Sequence, residues 1–336
     1  DRLGWLHVLP DSLGHWGAWT DLADEISDEV DHVVLVGMGG SSLFPDLLAT
    51  TFERADGFPT LEVLDSTHPA AVRRVLDRAA DGRTLVVVSS KSGSTVETRS
   101  HLDALWDTIG DGGRFVAITD PGSGLEELAR SRGFRAVVHG VPEIGGRFSA
   151  LSAFGMLPAA LLGLDGDDLL DAAEEAAAVL GADTPEEHHL GVQLGALMAV
   201  AAQAGRDRMT LLVDPRLAAF GDWVEQLVAE STGKHGHGVL PVVGEDETAP
   251  GTDGRWYAVL GEVDHGPLDA PAVHLEVEEP ADLGAQVFLW EFATAVAGIS
   301  LGVNPFDQPD VESAKVAARA ALAGDAGEPP ATVPLT

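Results

Sequence analysis

The 336-residue sequence has no cysteine. Disulfides, thiolate nucleophiles and zinc–cysteine sites are therefore excluded. It is also short of positive charge. Twenty Lys and Arg stand against 54 Asp and Glu, for a formal charge of −34. Such an excess opposes general attraction to nucleic acid or to an anionic membrane, so neither is an expected partner. The plain reading is a solvated surface, with adaptation to salt left as an open alternative. No uninterrupted apolar run approaches the ~18 residues of a bilayer span. The opening stretch DRLGWLHVLP lacks the basic and apolar blocks of a secretion signal. It also lacks an initial Met, which suggests a processed or trimmed chain, and the cytoplasm is the expected location. Two nucleotide signatures are missing as well. There is no G-x-x-x-x-G-K-[ST], and GMGGSS at 37–42 has Ser42 where a dinucleotide fingerprint needs its last glycine.

What is present is core-forming material, with 45% hydrophobic residues. Short apolar runs at 32–38, 61–66, 84–90, 114–120 and 135–140 alternate with helical patterns. That rhythm predicts parallel βαβ units. The runs lack clean alternation, which predicts strands buried on both faces. From Ala150 to Gly205 the pattern is helical. Strands return at 208–214, 255–263 and 272–278, with helices over 215–231 and 282–302. The expectation is two α/β halves joined by helices, with a polar loop at 243–254 and a frayed tail.

Two turns follow strands and carry hydroxyls. SSKSGSTVET at 89–98 holds Ser90, Ser92, Ser94 and Thr95, with Lys91 among them. Ser94 and Glu97 fit a capping box, which places a helix start there. Helix starts offer unpaired N–H groups and partial positive charge, so this turn suits a phosphate monoester. An ordinary Ser-rich cap has the same composition. The GMGGSS turn, with Ser41 at its end, is the second such feature on the same sheet.

GMGGSSLFP, SSKSGSTVET, GGRFSALSAFGMLPAALLG, ESTGKHGHGVLP and NPFDQPDVESAK occur in this order. Together they resemble the phosphoglucose isomerase family of the sugar isomerase (SIS) fold, over roughly residues 33 to 322. Within it, the chain resembles the isomerase portion of bacterial transaldolase–isomerase fusions. The resemblance implies an α/β protein of two SIS-type three-layer αβα sandwiches with mostly parallel sheets. It divides the chain into a lead segment (1–32), a first SIS domain (33–163), linking helices with a second SIS domain (164–322) and a tail (323–336). It also implies a homodimer, with no metal and no organic cofactor.

Aldose–ketose isomerisation needs a phosphate grip, ring opening, a base and a charge partner for the enediolate. By resemblance to ESxGK, Glu230 moves the proton. Gln226, one helical turn earlier, contacts substrate hydroxyls. Arg147 stabilises the enediolate with its fixed fork of donors. Lys315 aids ring opening, with Gln308 two turns before it if that segment is helical. Gly40, Ser41, Ser90, Lys91, Ser92 and Thr95 form the phosphate site. Many family members carry a ring-opening histidine in a later segment, contributed across the dimer. That segment is not found here. His235 and His237 lie too close to Glu230, and His265 has a different context, EVDHGPL. Three alternatives stay open at this stage: a non-catalytic sugar-phosphate-binding module, an isomerase for another aldose/ketose phosphate and, more remotely, a dehydrogenase.

Overall fold

In the computed structural model, which describes residues 2–248 and 253–322, the apolar runs become strands. The chain opens with helix α1 (Val8–Ser27), whose Trp16 and Trp19 are buried. A first sheet follows, made of β1 (His32–Val36), β2 (Thr60–Leu64), β3 (Thr84–Ser89), β4 (Phe115–Thr119) and β5 (Ala136–His139). All its pairings are parallel, in the order β2-β1-β3-β4-β5. The crossovers carry α2 (Leu43–Thr51), α3 (Pro69–Ala79), α4 (Val96–Ile109) and α5 (Gly124–Ser131). The continuous Val and Leu runs have a simple physical cause. Val33, Leu35, Leu85 and Val87 enter one hydrophobic cluster, while Val34, Val36, Val86 and Val88 enter another. Side chains alternate across a strand, so both faces of this sheet are buried.

The helical stretch after Ala150 resolves into α6 (Ala153–Leu161), α7 (Gly166–Val179) and α8 (Leu190–Gln203). The second sheet holds β6 (Arg208–Val213), β7 (Leu240–Val242), β8 (Arg255–Leu260) and β9 (Ala272–Leu275), again parallel, in the order β7-β6-β8-β9. Helix α9 (Ala218–Thr232) links β6 to β7, and α10 (Leu283–Leu301) and α11 (Pro309–Leu322) close the described chain. The second sheet repeats the order of the first four strands of the first. The described chain thus holds two parallel sheets with accompanying helices. They share one hydrophobic cluster that runs from Trp5 and Val33 to Met209 and Trp290. The far face of the second sheet has a small cluster of its own, in which Val263, Leu268 and Ala270 pack on Leu212, Tyr257 and Val259.

Two sequence expectations change. Strand β7 was not anticipated, because three residues around Pro241 show no period. The 22-residue helical stretch Pro280–Leu301 is long and apolar enough to cross a bilayer by length and composition, though no uninterrupted apolar run flagged it. Most of it is buried inside the protein, where Leu283, Val287, Phe288, Trp290 and Ala297 pack in the core. The expected frayed tail, 323–336, and part of the polar loop, 249–252, lie outside the described residues.

Candidate active site

In an open parallel sheet, ligands bind beyond the strand C-termini, where the strand order reverses. In the first sheet that point lies between β1 and β3. Val36 is in register with Val88, so the GMGGSS and SSKSGST turns leave the sheet side by side. Ser41 and Ser90 are buried there, Thr95 is half-buried and Ser92 is exposed.

The capping box foreseen at Ser94 and Glu97 is not formed. Helix α4 starts one residue later, at Val96, with Thr95 as its N-cap and no side-chain cap bond among the described residues. Ser94 is drawn away: its Oγ lies 2.8 Å from Ser92 Oγ, and its N–H donates to that same oxygen at 3.3 Å. The hydroxyl of Ser90 is buried without a hydrogen-bond partner among the described residues. The Lys91 ammonium donates to Asp120 Oδ1 (2.6 Å), Asp120 Oδ2 (2.8 Å) and the Val141 carbonyl (2.7 Å).

A second cluster, around Arg147 and Glu230, assembles from three distant segments. Glycine is required where the turns meet. A Cβ on Gly40 would lie 2.1 Å from the Gly146 carbonyl oxygen. At Gly39, where φ is +57°, a Cβ would lie 2.4 Å from Gln226 Nε2. The GMGGSS turn is thus pressed against both the GGRFS turn and α9. Arg147 leaves the GGRFS turn only 3% exposed. Its Nε donates to Ser231 Oγ at 2.7 Å, and one terminal nitrogen donates to the carbonyls of Pro305 (2.5 Å) and Asp307 (3.1 Å). The other terminal nitrogen lies 3.3 Å from Glu230 Oε1. Burial pushes the Arg147 pKa down, and the carboxylates of Glu230 and Asp307 hold it up. Gln226 and Glu230 are one turn apart on α9, and Gln226 Nε2 donates to Glu230 Oε2 at 3.4 Å.

Lys234, buried at the end of the same motif, was missed as a site residue. Its Nζ donates to the carbonyls of Asn304 and, at 3.0 Å, of Asp307, and pairs with Asp307 Oδ1 at 2.7 Å. Lys234 and Arg147 together clamp the segment that carries Gln308. The signal was available: the sequence has three lysines, Lys91, Lys234 and Lys315, and each lies in one of the five motifs. Gln308 is half-buried and precedes α11, so it is not two helical turns from Lys315 on one helix as expected. Lys315 falls within α11, but its side chain lies outside the described residues. His237 shares a two-way backbone bridge with Lys234, and His235 takes a positive φ of 57° in that tight turn. His265 sits in the loop after β8, with Nδ1 2.8 Å from the Gly266 carbonyl and its ring beside His274. Among the described residues, no group of three or more His, Asp or Glu side chains is arranged to hold a metal ion.

Chemically, the centre offers a carboxylate beside a buried, fixed positive charge, next to a neutral donor-rich turn. The architecture is shared with solved structures. A hypothetical protein of Thermus thermophilus superposes with a TM-score of 0.83 at 27% identity, covering 96% of this chain and 91% of that one. A glucose-6-phosphate isomerase from Chlamydia trachomatis superposes at 0.78, with 20% identity over 92% of this chain and 73% of its own, and so bears on the fold alone. Among sequences, the glucose-6-phosphate isomerase of Rubrobacter xylanophilus is 31% identical over 91% of this chain and 86% of its own length. The probable glucose-6-phosphate isomerase of Haloquadratum walsbyi is 30% identical over 87% and 80%. The family model for phosphoglucose isomerase matches residues 14–242, a span that takes in both glycine turns, Arg147, Gln226, Glu230 and Lys234, and the chain belongs to the phosphoglucose isomerase family.

Proposed function

We propose that this protein is an intramolecular aldose–ketose isomerase that interconverts glucose 6-phosphate and fructose 6-phosphate. The observation that carries the reading is the Glu230 carboxylate held 3.3 Å from the buried Arg147 guanidinium, next to the reversal point of the first sheet. The phosphate is met by the hydroxyls of Ser41, Ser90, Ser92 and Thr95 and by the first-turn N–H groups of α4. Glu230 removes a proton from one of the two carbons that exchange oxidation level and returns it to the other. Arg147, already oriented by Ser231 and two carbonyls, stabilises the oxygen that becomes negative between those steps. Gln226 and Gln308 contact sugar hydroxyls, with Gly40 giving the chain room to approach. Lys315 serves ring opening. Lys234 does not, because its three protons already have acceptors in Asn304 and Asp307.

A coupled assay for glucose 6-phosphate formed from fructose 6-phosphate, in metal-free buffer, tests the reading. Turnover with exchange of the transferred hydrogen for solvent deuterium is expected. Sugar-phosphate binding without turnover would leave a non-catalytic module. Turnover only of another ketose phosphate would redirect the specificity.

Two finer readings belong with this one. The first is the likeness to the isomerase part of transaldolase–isomerase fusions. The second is a homodimer, which the surface supports. Helix α8 has no charged residue, and the sole charged residue of α10, Glu291, is buried. Val200 and Ile299 on these two packed helices are 61% and 75% exposed. In a chain of charge −34, two packed helices that expose no acid of their own are where a second copy can approach at least electrostatic cost.

A further inference from the structure

Lys91 stands in the turn that the phosphate should meet, yet its ammonium is engaged elsewhere. An ammonium has three protons. Two go to the carboxylate oxygens of Asp120 and one to the Val141 carbonyl. Both side chains of the pair are largely buried, at 16% and 22% exposure. Burial pushes the Lys91 pKa down, while Asp120 pushes it up. The backbone repeats the join. The Asp120 N–H donates to the Lys91 carbonyl at 3.1 Å. The hydroxyl of the preceding Thr119 donates to the Ser90 carbonyl at 2.7 Å and reaches that of Lys91 at 3.2 Å. On the other side, a Cβ on Gly93 (φ +65°) would lie 2.6 Å from the Leu125 nitrogen. The hydroxyl-rich turn is therefore tied down from beneath, at its side chain and at its backbone.

We propose that Asp120 is a positioning residue for phosphate recognition. By holding the Lys91 ammonium inward, it fixes the backbone of residues 90–95, so that hydroxyls and amides, and not the lysine charge, face the anion. The proposal rests on the reading that phosphate binds at this turn. Breaking a buried ion pair on one side leaves the other charge unpaired and its segment free to move.

The test uses Asp120→Asn, Asp120→Glu, Lys91→Met and the double variant, with inorganic phosphate as a competitive inhibitor. Asp120→Asn should raise both KM and the phosphate inhibition constant about tenfold, the size expected when one set of hydrogen bonds is misplaced. Turnover number should fall by less than KM rises. Asp120→Glu should recover part of the loss. Lys91→Met should match Asp120→Asn, and the double variant should be no worse than either, since both remove one coupled contact. An unchanged or tighter phosphate constant in Asp120→Asn overturns the proposal, as does a Lys91→Met loss far larger than that of Asp120→Asn, which would mean that the lysine touches the anion. Ser92→Ala separates the two readings. If it weakens phosphate and Asp120→Asn does not, only the positioning role fails. If neither does, the phosphate site itself is wrong. Should Asp120→Asn not fold, Lys91→Arg displaces the charge while keeping it, and the same rise in KM and phosphate constant is required.

Discussion

Glu230 and Glu291 are both glutamates on helices of the second half, and their surroundings give them opposite uses. Glu230 is partly exposed and faces a fixed cation; Glu291 is 1% exposed in α10, and burial raises its pKa well above the ordinary 4.5. Glu230→Gln keeps the shape and removes the proposed base. Turnover should fall about 10²–10⁴-fold, with a modest change in substrate binding; activity within tenfold of the parent would remove Glu230 from the role. Glu291 makes a stability prediction instead. Above pH 4.5 the unfolded chain releases a proton that the folded chain keeps, so this group lowers stability as pH rises toward its folded value. Glu291→Met, of similar volume, should therefore be more stable than the parent at pH 8, with the gap closing toward pH 5, as read from unfolding midpoints. Ring opening gives a third test at this scale. With Lys315 as the named cationic donor and no matched histidine segment, an open-chain substrate should be turned over disproportionately faster than the cyclic sugar. Equal efficiency would point first to His265 of a partner subunit, through His265→Ala.

Turns decide more of this site than helices do. The two glycine turns touch backbone to backbone, so Gly40→Ala should force the GGRFS turn outward. Overpacking of this kind costs about 1–3 kcal/mol, and a displacement of Arg147 by about 1 Å can cost on the order of 10²-fold in rate. Denaturant unfolding and kcat/KM measured on the same sample check both. Elements also show what was legible in the sequence and what was not. The β1 and β3 runs, the hydroxyl turns behind them and the ESTGK helix could be read from period and composition. The short strand at Pro241 could not, because three residues carry no period. The capping box failed because Ser94 found a nearer partner in Ser92. The resemblance puts Lys91 in the phosphate site, among neighbouring hydroxyls. Its actual acceptors, Asp120 and Val141, are 29 and 50 residues away. Lys234 was overlooked for the same reason, since Asn304 and Asp307 are 70 and 73 residues further on. Local pattern reveals which residues leave a strand end. It does not reveal which distant groups meet them.

At the scale of the whole molecule, the charge of −34 sets the terms. Self-repulsion works against the folded state and is screened as the Debye length shrinks from ~30 Å at 0.01 M to ~3 Å at 1 M salt. The unfolding midpoint should rise across that range of sodium chloride; a flat or falling midpoint would mean that the acids are already balanced locally. On the homodimer reading proposed above, salt should also favour pairing through the α8–α10 face. On that reading, Ile299→Asp combined with Val200→Asp should lower the sedimenting mass to that of one chain without altering the far-ultraviolet dichroism; an unchanged mass would remove this face from the interface. The fixation of Arg147 has a consequence in time as well as in space. Its carbonyl partners, Pro305 and Asp307, lie 158 and 160 residues further along the chain. During refolding, both sheets can form before that last segment docks, so recovery of helical signal should precede recovery of activity, and the interval between them measures how long the guanidinium waits for its final two acceptors.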